Sequence, residues 1–378
     1  MRRVEIGLLV GLCLFLPLYE APKNVLWLLY ALVWIANRIR ARDAGGRWDT
    51  WDTLIAAWIA SGFVVAPFAA RHAHEWGGAL DLLKYGAVLW MAKRSRLDDR
   101  EIGAVTGALV ASTLIGLMQG FFRLYAGTAP TLELNSVGHV NHTAIYLAIV
   151  LGLCASWVFT WRHAALACVA SVVILVALFV TASRGALAAA LAMVLLLAAA
   201  WWPRKRWPLL IGTGTVLLAV TIAVAFDIEV VRKHEANVQA GLMLSYRDQV
   251  WQLALDTWRA HPWFGVGMDN FQLVAAARES DPTRGLYPHA HNLYLGALAE
   301  RGLVGSAPLA AVLIAWPIWL VRRRPRRDDG DWSWLRWGAA AGAWIITVLA
   351  GTVNSTLHDE HGVLAGLLLG LWLARSKI

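Results

Sequence analysis

Charge is what this chain has least of. Only 16% of its 378 residues are Asp, Glu, Lys or Arg, while 58% are hydrophobic. A soluble domain of this size carries about 25% charged residues. The deficit excludes an ordinary water-soluble enzyme and points to a polytopic membrane protein. Cysteine is nearly absent: Cys13, Cys154 and Cys168 all fall inside apolar runs. They have neither metal-ligand nor disulfide-framework spacing and read as packing residues. There is no P-loop, dinucleotide fingerprint, G-x-S-x-G elbow, HExxH pair or cofactor-attachment motif. No cofactor is therefore expected. The chemistry left needs only a base and phosphate-binding cations, as in transfer from a pyrophosphate-linked donor.

Apolar sequence is abundant. A spanning helix needs about 20 apolar residues, and twelve stretches are candidates, the first two of them short: 5–20, 24–38, 52–70, 77–92, 102–122, 142–160, 164–182, 185–202, 208–226, 291–321, 336–356 and 360–374. The tenth is long enough to hold an internal break. Met1-Arg-Arg before the first run resembles a signal peptide but lacks a convincing cleavage site, and reads as a retained helix. The 22 tryptophans suit the headgroup layers that indoles prefer. A net charge of +9 would suit nucleic acid, yet the basic residues lie in short clusters between apolar runs. That pattern orients membrane helices, so membrane lipids are expected as partners and nucleic acid is not.

Those clusters (Arg2/Arg3, Arg38 to Arg47, Lys93 to Arg100, Arg162, Arg204 to Arg206, Arg322 to Arg327, Arg375/Lys377) fall at every second junction. Because positive residues stay in the cytoplasm, the alternation predicts twelve spans with both termini cytoplasmic. The expectation is an all-α polytopic membrane protein, one integral membrane domain over 1–378. A large outward loop, 227–290, is inserted between spans nine and ten and is too long to be only a connector. Inside it, Ser245-Tyr-Arg-Asp248 reads as a helix start with Ser245 as N-cap. Val250, Leu253, Ala254 and Trp258 then form an amphipathic stripe suited to the membrane surface. His261-Pro262 ends that helix and Gly265-Val-Gly267 supplies a tight turn. This helix is expected over the outer mouth of the bundle.

Ionisable residues gather at the outward junctions. His291-Asn292 opens span ten, and nine residues later come Gly302-Leu-Val-Gly305. Polar groups just inside a membrane boundary are functional candidates by default, and an imidazole can take a proton from a hydroxyl. His291 is a candidate base, with an interfacial anchor as the plain alternative. Asn292 can bond backbone or substrate, and the two glycines would let another helix approach. Arg184, in Ser183-Arg-Gly185, has no carboxylate nearby in sequence and lies outside against the charge bias. Its fork suits a phosphate, with Gly185 leaving room, whereas snorkelling to headgroups is the bland reading. Arg247 opens the loop helix where an acidic residue is favoured, which suggests an anion partner or a solvated surface. His139, Asn141 and His142 precede span six. Two histidines three apart could share a metal, but further ligands are lacking, and hydrogen bonding to sugar or packing is preferred. Asp81/Lys84 reads as a buried ion pair and His358-Asp-Glu-His361 as a structural outer turn. Arg232, Arg278 and Arg284 read as ordinary loop charges.

His291-Asn292, nine residues and Gly302-Leu-Val-Gly305 together resemble the H[NSQ]x9GxxG pattern of bacterial O-antigen ligases. Ser183-Arg-Gly-Ala186, and Arg247 with Trp251 ahead of Pro262-x-x-Gly265-x-Gly267, also look like this superfamily, which includes O-antigen polymerases and protein O-oligosaccharyltransferases. The resemblance implies a twelve-helix, GT-C-like fold. It implies metal-independent, inverting transfer of O-antigen from undecaprenyl pyrophosphate to a lipid A–core sugar at the periplasmic face of the bacterial inner membrane. Carried over by motif, His291 is the base and Arg184 and Arg247 hold the pyrophosphate. His289 does not fall on the motif histidine and ranks second, and Asn292 and His142 are candidates for substrate binding from their own hydrogen-bonding chemistry. A polymerase or protein glycosylase shares the donor and differs in acceptor. A lipid or ion transporter, the rival from another class, would place polar groups at the midplane.

Overall fold

The computed structural model describes residues 2–160, 164–202, 207, 214, 247–278 and 289–374, with backbone only at 277 and 278. The expected span 208–226 apart from residue 214, the Ser245 cap, Arg232, Arg284, Arg162, Arg204 to Arg206, Arg375 and Lys377 lie outside them, as does the Arg278 side chain. No strand occurs among the described residues. In chain order the helices are α1 (Arg2–Phe15), α2 (Glu20–Ala41), α3 (Thr50–Val65, extended by a 3-10 turn to Phe68), α4 (Glu75–Arg94), α5 (Asp99–Tyr125), α6 (Val140–Thr160), α7 (Ala164–Val180) and α8 (Arg184–Trp201). They continue with α9 (Arg247–Ala260), α10 (Phe271–Arg278), α11 (Leu293–Arg322), α12 (Asp331–Ala350) and α13 (Asp359–Leu373). Five of these, α3 with its turn, α5, α6, α8 and α11, are long and apolar enough to cross a membrane. The protein is a multi-pass membrane protein.

The bundle is built around α6. From Thr143 to Thr160 every α6 residue is buried, which a helix apolar on all faces permits only at a bundle centre. α5, α7, α8, α12 and α13 surround it. Where α6 crosses α12, Gly152 faces Gly342, and a Cβ on either would lie 3.2–3.3 Å from the other's Cα. Small residues allow such backbone approach, the main source of helix affinity where lipid is as apolar as the protein. α13 meets α4 the same way, with Gly366 and Gly370 against the Tyr85 and Leu89 carbonyls. His142 at the start of α6 is thereby fixed to the bundle axis.

Several charges expected to mark topology are structural. Asp52, fully buried, pairs with Arg94 at 2.6 Å and Lys93 at 2.8 Å. Arg94 also donates to the carbonyls of Ala44 (2.9 Å) and Gly46 (2.8 Å). A buried ion pair is tolerable only when its remaining donors are satisfied, and these carbonyls do that. The expected Asp81–Lys84 pair does not form: Lys84 Nζ donates to Asn24 Oδ1 at 2.8 Å. The amphipathic stripe of α9 also lies elsewhere than expected. Val250 and Ala254 are buried in a small second core with Phe271, Ala275, Ala290 and Ala299, so α9 is clamped to α10 and α11 and its apolar face is not spread on the membrane.

Candidate active site

The site is set by a break in α11. Gly302 has φ 58° and ψ −163°, so the helix interrupts there. A broken membrane helix must find partners for the backbone groups it frees. The turn at Pro262–Gly267 supplies them. Leu303 N donates to Pro262 O at 2.8 Å and Val304 N to Trp263 O at 3.0 Å, while Val266 N and Gly267 N donate to Ala299 O and Glu300 O at 2.9 Å each. The turn can come this close because both sides lack side chains: a Cβ on Gly302 would overlap the Trp263 carbonyl group, and one on Gly265 the Glu300 carbonyl. The expectation that both Gly302 and Gly305 admit a helix is therefore corrected. Gly302 admits a turn. Of the two, Gly305 is the one that faces a neighbouring helix, where a Cβ would lie 3.1 Å from Val65 Cγ2.

The turn is itself locked. Asn270, fully buried, donates through Nδ2 to Arg71 O (2.8 Å) and Val266 O (3.1 Å), and its Oδ1 accepts from His74 N at 2.9 Å. It therefore joins the α3–α4 connection to the break.

His291 sits at the start of the segment so anchored. Asn292 caps α11: its Oδ1 accepts from Tyr294 N (2.9 Å) and Leu295 N (3.0 Å), and its Nδ2 donates to Thr352 O (2.9 Å). These contacts commit Asn292 to backbone, where it holds the preceding residue in place. His291 has φ 47°, a left-handed conformation rare for a non-glycine residue and typical of over-determined sites. Its carbonyl accepts from Trp251 Nε1 at 3.4 Å. Burial, then the Arg247 charge and the neighbouring His139 and His142, push its pKa down to about 4. The imidazole is neutral at pH 7 and able to accept a proton.

Arg247, the first residue of α9, donates to Asn354 Oδ1 at 3.3 Å. Burial and the nearby Arg184 guanidinium lower its pKa, although an arginine stays charged throughout. Asp248, next to it in sequence, is exposed. Arg184 begins α8, tied to α6 by Ser183 Oγ donating to Asn141 Oδ1 at 2.9 Å. Gly185 does not make room for a ligand: a Cβ there would overlap Val353. α8, α9 and the α12–α13 connection thus bring two like-charged guanidiniums together beside a neutral imidazole.

Beyond His291 lies a cluster of imidazoles. The His142 ring is 5.9 Å from His139, 6.0 Å from His289, 5.8 Å from His358 and 5.3 Å from His361. Two carboxylates enter it. His358 Nδ1 lies 2.7 Å from Asp359 Oδ2 and its Nε2 3.7 Å from Asp269 Oδ1, while His142 Nδ1 is 3.4 Å from Asp359 Oδ2. Burial opposes charge on His358, but these carboxylates outweigh it and raise its pKa to about 10. Burial, with His358 and His142, pushes His289 down to about 4. His142, His358 and Asp359 offer three donor atoms within 4.8 Å of one another, a spacing that could hold a divalent ion. The further ligands missing from the local sequence around His142 thus come from more than two hundred residues away. His358 and Asp359, read in sequence as part of a structural turn, and Asp269, not singled out there, join this cluster. The hint in the sequence is a His-Asp-Glu-His run opening an apolar span.

Residues 169–310 match a family described as O-antigen ligase. The matched segment runs from α7 through the break in α11, and so holds Arg184, Arg247, His289, His291 and Asn292 but not His142 or His358. No curated protein matches the chain.

If the break in α11 holds this site together, Gly302→Ala will force a side chain into the Trp263 backbone at a left-handed position, with a cost of about 1–3 kcal/mol for the backbone alone. Thermal unfolding in detergent should show a lower Tm, with α9 more open to protease. An unchanged Tm and cleavage pattern would contradict this role.

Proposed function

Starting from the match of residues 169–310 to a family described as O-antigen ligase, we propose that this membrane protein is a glycosyltransferase, an O-antigen ligase. In this reading it transfers O-antigen from undecaprenyl pyrophosphate to a sugar hydroxyl of lipid A–core, at the periplasmic face of the inner membrane. The observation that carries the reading is the neutral His291 near Arg247, whose own pKa is lowered by burial and by the charge of Arg184. Two guanidiniums that feel each other's charge favour an anion nearby, and their planar forks fit the oxygens of a pyrophosphate.

The donor pyrophosphate lies against Arg184 and Arg247. The acceptor hydroxyl approaches the anomeric carbon from the opposite face, its proton passing to His291 as the new glycosidic bond forms. The bond to the pyrophosphate oxygen breaks, and undecaprenyl pyrophosphate departs with its developing charge held by the arginines. A single displacement inverts the anomeric centre. A covalent glycosyl intermediate would need a free carboxylate nucleophile, and neither Asp269 nor Asp359 is one, since both engage His358. Asn292 positions His291, and His142 and His289 line the approach of the sugar.

General-base assistance contributes about 10²–10⁴ in rate, so His291→Ala should lower ligation by that factor while the protein still inserts. A lipopolysaccharide ladder from a strain carrying only this variant should show lipid A–core without polymer. Full-length capping would refute the base assignment, and a single capped repeat would identify a polymerase instead.

The pH profile of kcat/KM reports the free enzyme's base. Because burial and Arg247 hold the His291 pKa at about 4, activity should persist as pH falls from 7 to 5. Arg247→Gln removes one of the depressing charges and should move the acid limb upward, toward the usual histidine value of about 6.5. A wild-type limb already at that value, unmoved by Arg247→Gln, would contradict the assignment.

A further inference from the structure

At the end of the bundle opposite the site, a cavity of about 950 Å³ opens between the start of α1, the end of α2 and the α4–α5 turn. Six arginines line it (Arg2, Arg38, Arg40, Arg96, Arg100 and Arg336) against three carboxylates, Glu5, Asp98 and Asp99. Three of the arginines have carboxylate partners: Arg38 with Glu5 at 3.0 Å, Arg2 with Glu101 at 2.8 Å and Arg96 with Asp43 at 3.5 Å. Arginines still outnumber carboxylates among the lining residues, so the cavity carries a net positive charge.

A second cavity of about 530 Å³ shares Asp99 and Arg100 with the first and runs from them along α5. Its wall is apolar. Gly103, Gly107 and Ala111 recur every four residues on one face of α5, facing Trp332 and Trp157. These small residues keep the cleft open: a Cβ on Gly103 would meet Trp332 at 3.0 Å and one on Gly107 would only reach Trp157 at 3.9 Å. Leu166 at its margin is 57% exposed, so the cleft faces the lipid.

A cationic mouth continuous with an apolar channel on a membrane helix has the shape and charge of a phospholipid, phosphate at the arginines and acyl chain along Gly103–Ala111. We propose that this is a binding site for an anionic phospholipid, separate from the candidate active site and independent of the ligase reading. Basic pockets between membrane helices take such headgroups. The excess of arginine at this end also matches the leaflet to which positive residues are confined. A small soluble phosphate shares the headgroup chemistry but has nothing to place in the cleft.

The test is native mass spectrometry of the full-length protein in neutral detergent. Phosphatidylglycerol, phosphatidylcholine and glycerol 3-phosphate are titrated in turn. Phosphatidylglycerol should bind, and phosphatidylcholine and glycerol 3-phosphate should bind far more weakly. Arg100→Gln with Arg336→Gln should weaken phosphatidylglycerol by on the order of tenfold or more, and the paired Lys replacements should restore most of it. Gly107→Leu, which keeps every arginine, should weaken the lipid by filling the cleft. Equal binding of phosphatidylcholine would overturn the proposal, as would glycerol 3-phosphate matching the lipid. So would unchanged lipid affinity in Gly107→Leu, which tests the cleft even if the arginine variants fold poorly.

Discussion

Everything at the functional end of this protein depends on one exchange of hydrogen bonds. α11 gives up its own backbone pairing at Gly302, and the Pro262–Gly267 turn takes over four of the freed positions. In a membrane helix such a break is tolerable only because the freed backbone groups find new partners. The consequence runs in both directions along the chain. N-terminal to the break, the short segment carrying Asn292 and His291 is held by Thr352, Gly351 and Trp251. On the other side, the turn fixes α9, and with α9 the position of Arg247. Base and cation are therefore placed by the same device.

Electrostatics divides the molecule into two ends that treat charge differently. At one, Lys93 and Arg94 are paired with Asp49 and Asp52, and these inward-facing charges serve packing. At the other, Arg247 feels the charge of Arg184, and His291 and His289 are kept neutral by burial and by neighbouring positive charge. His358, between Asp269 and Asp359, is the histidine that those carboxylates hold charged. A region that depresses its bases and concentrates its arginines is poised for an anion and a proton.

Much of this is legible in the chain. Apolar runs locate the helices because a membrane demands their length, and Arg184, Arg247 and His291 stand out as polar groups at outward helix junctions. The structure brings those three together from α8, α9 and the start of α11. Less legible are relations that only packing creates. Gly302-x-x-Gly305 reads equally as a helix contact or as a break, since both need absent side chains, and only the partner backbone decides. Gly185 reads in sequence as room for a ligand, yet it meets Val353. Lys93 and Arg94 look like topology charges until Asp52 is seen between them. The His358–Asp359 pair and Asp269 are hidden in the sequence because their partner His142 is distant and no local spacing links them.

The central claim is that His291 and the two arginines do different jobs at one site: the arginines hold the donor's pyrophosphate and the histidine moves a proton. Equilibrium binding of undecaprenyl pyrophosphate to the purified protein separates these roles. The account predicts that His291→Ala binds it as tightly as wild type while Arg184→Gln and Arg247→Gln each bind it at least about tenfold more weakly, the scale of one charge-assisted hydrogen bond. Undiminished binding in both arginine variants would contradict it.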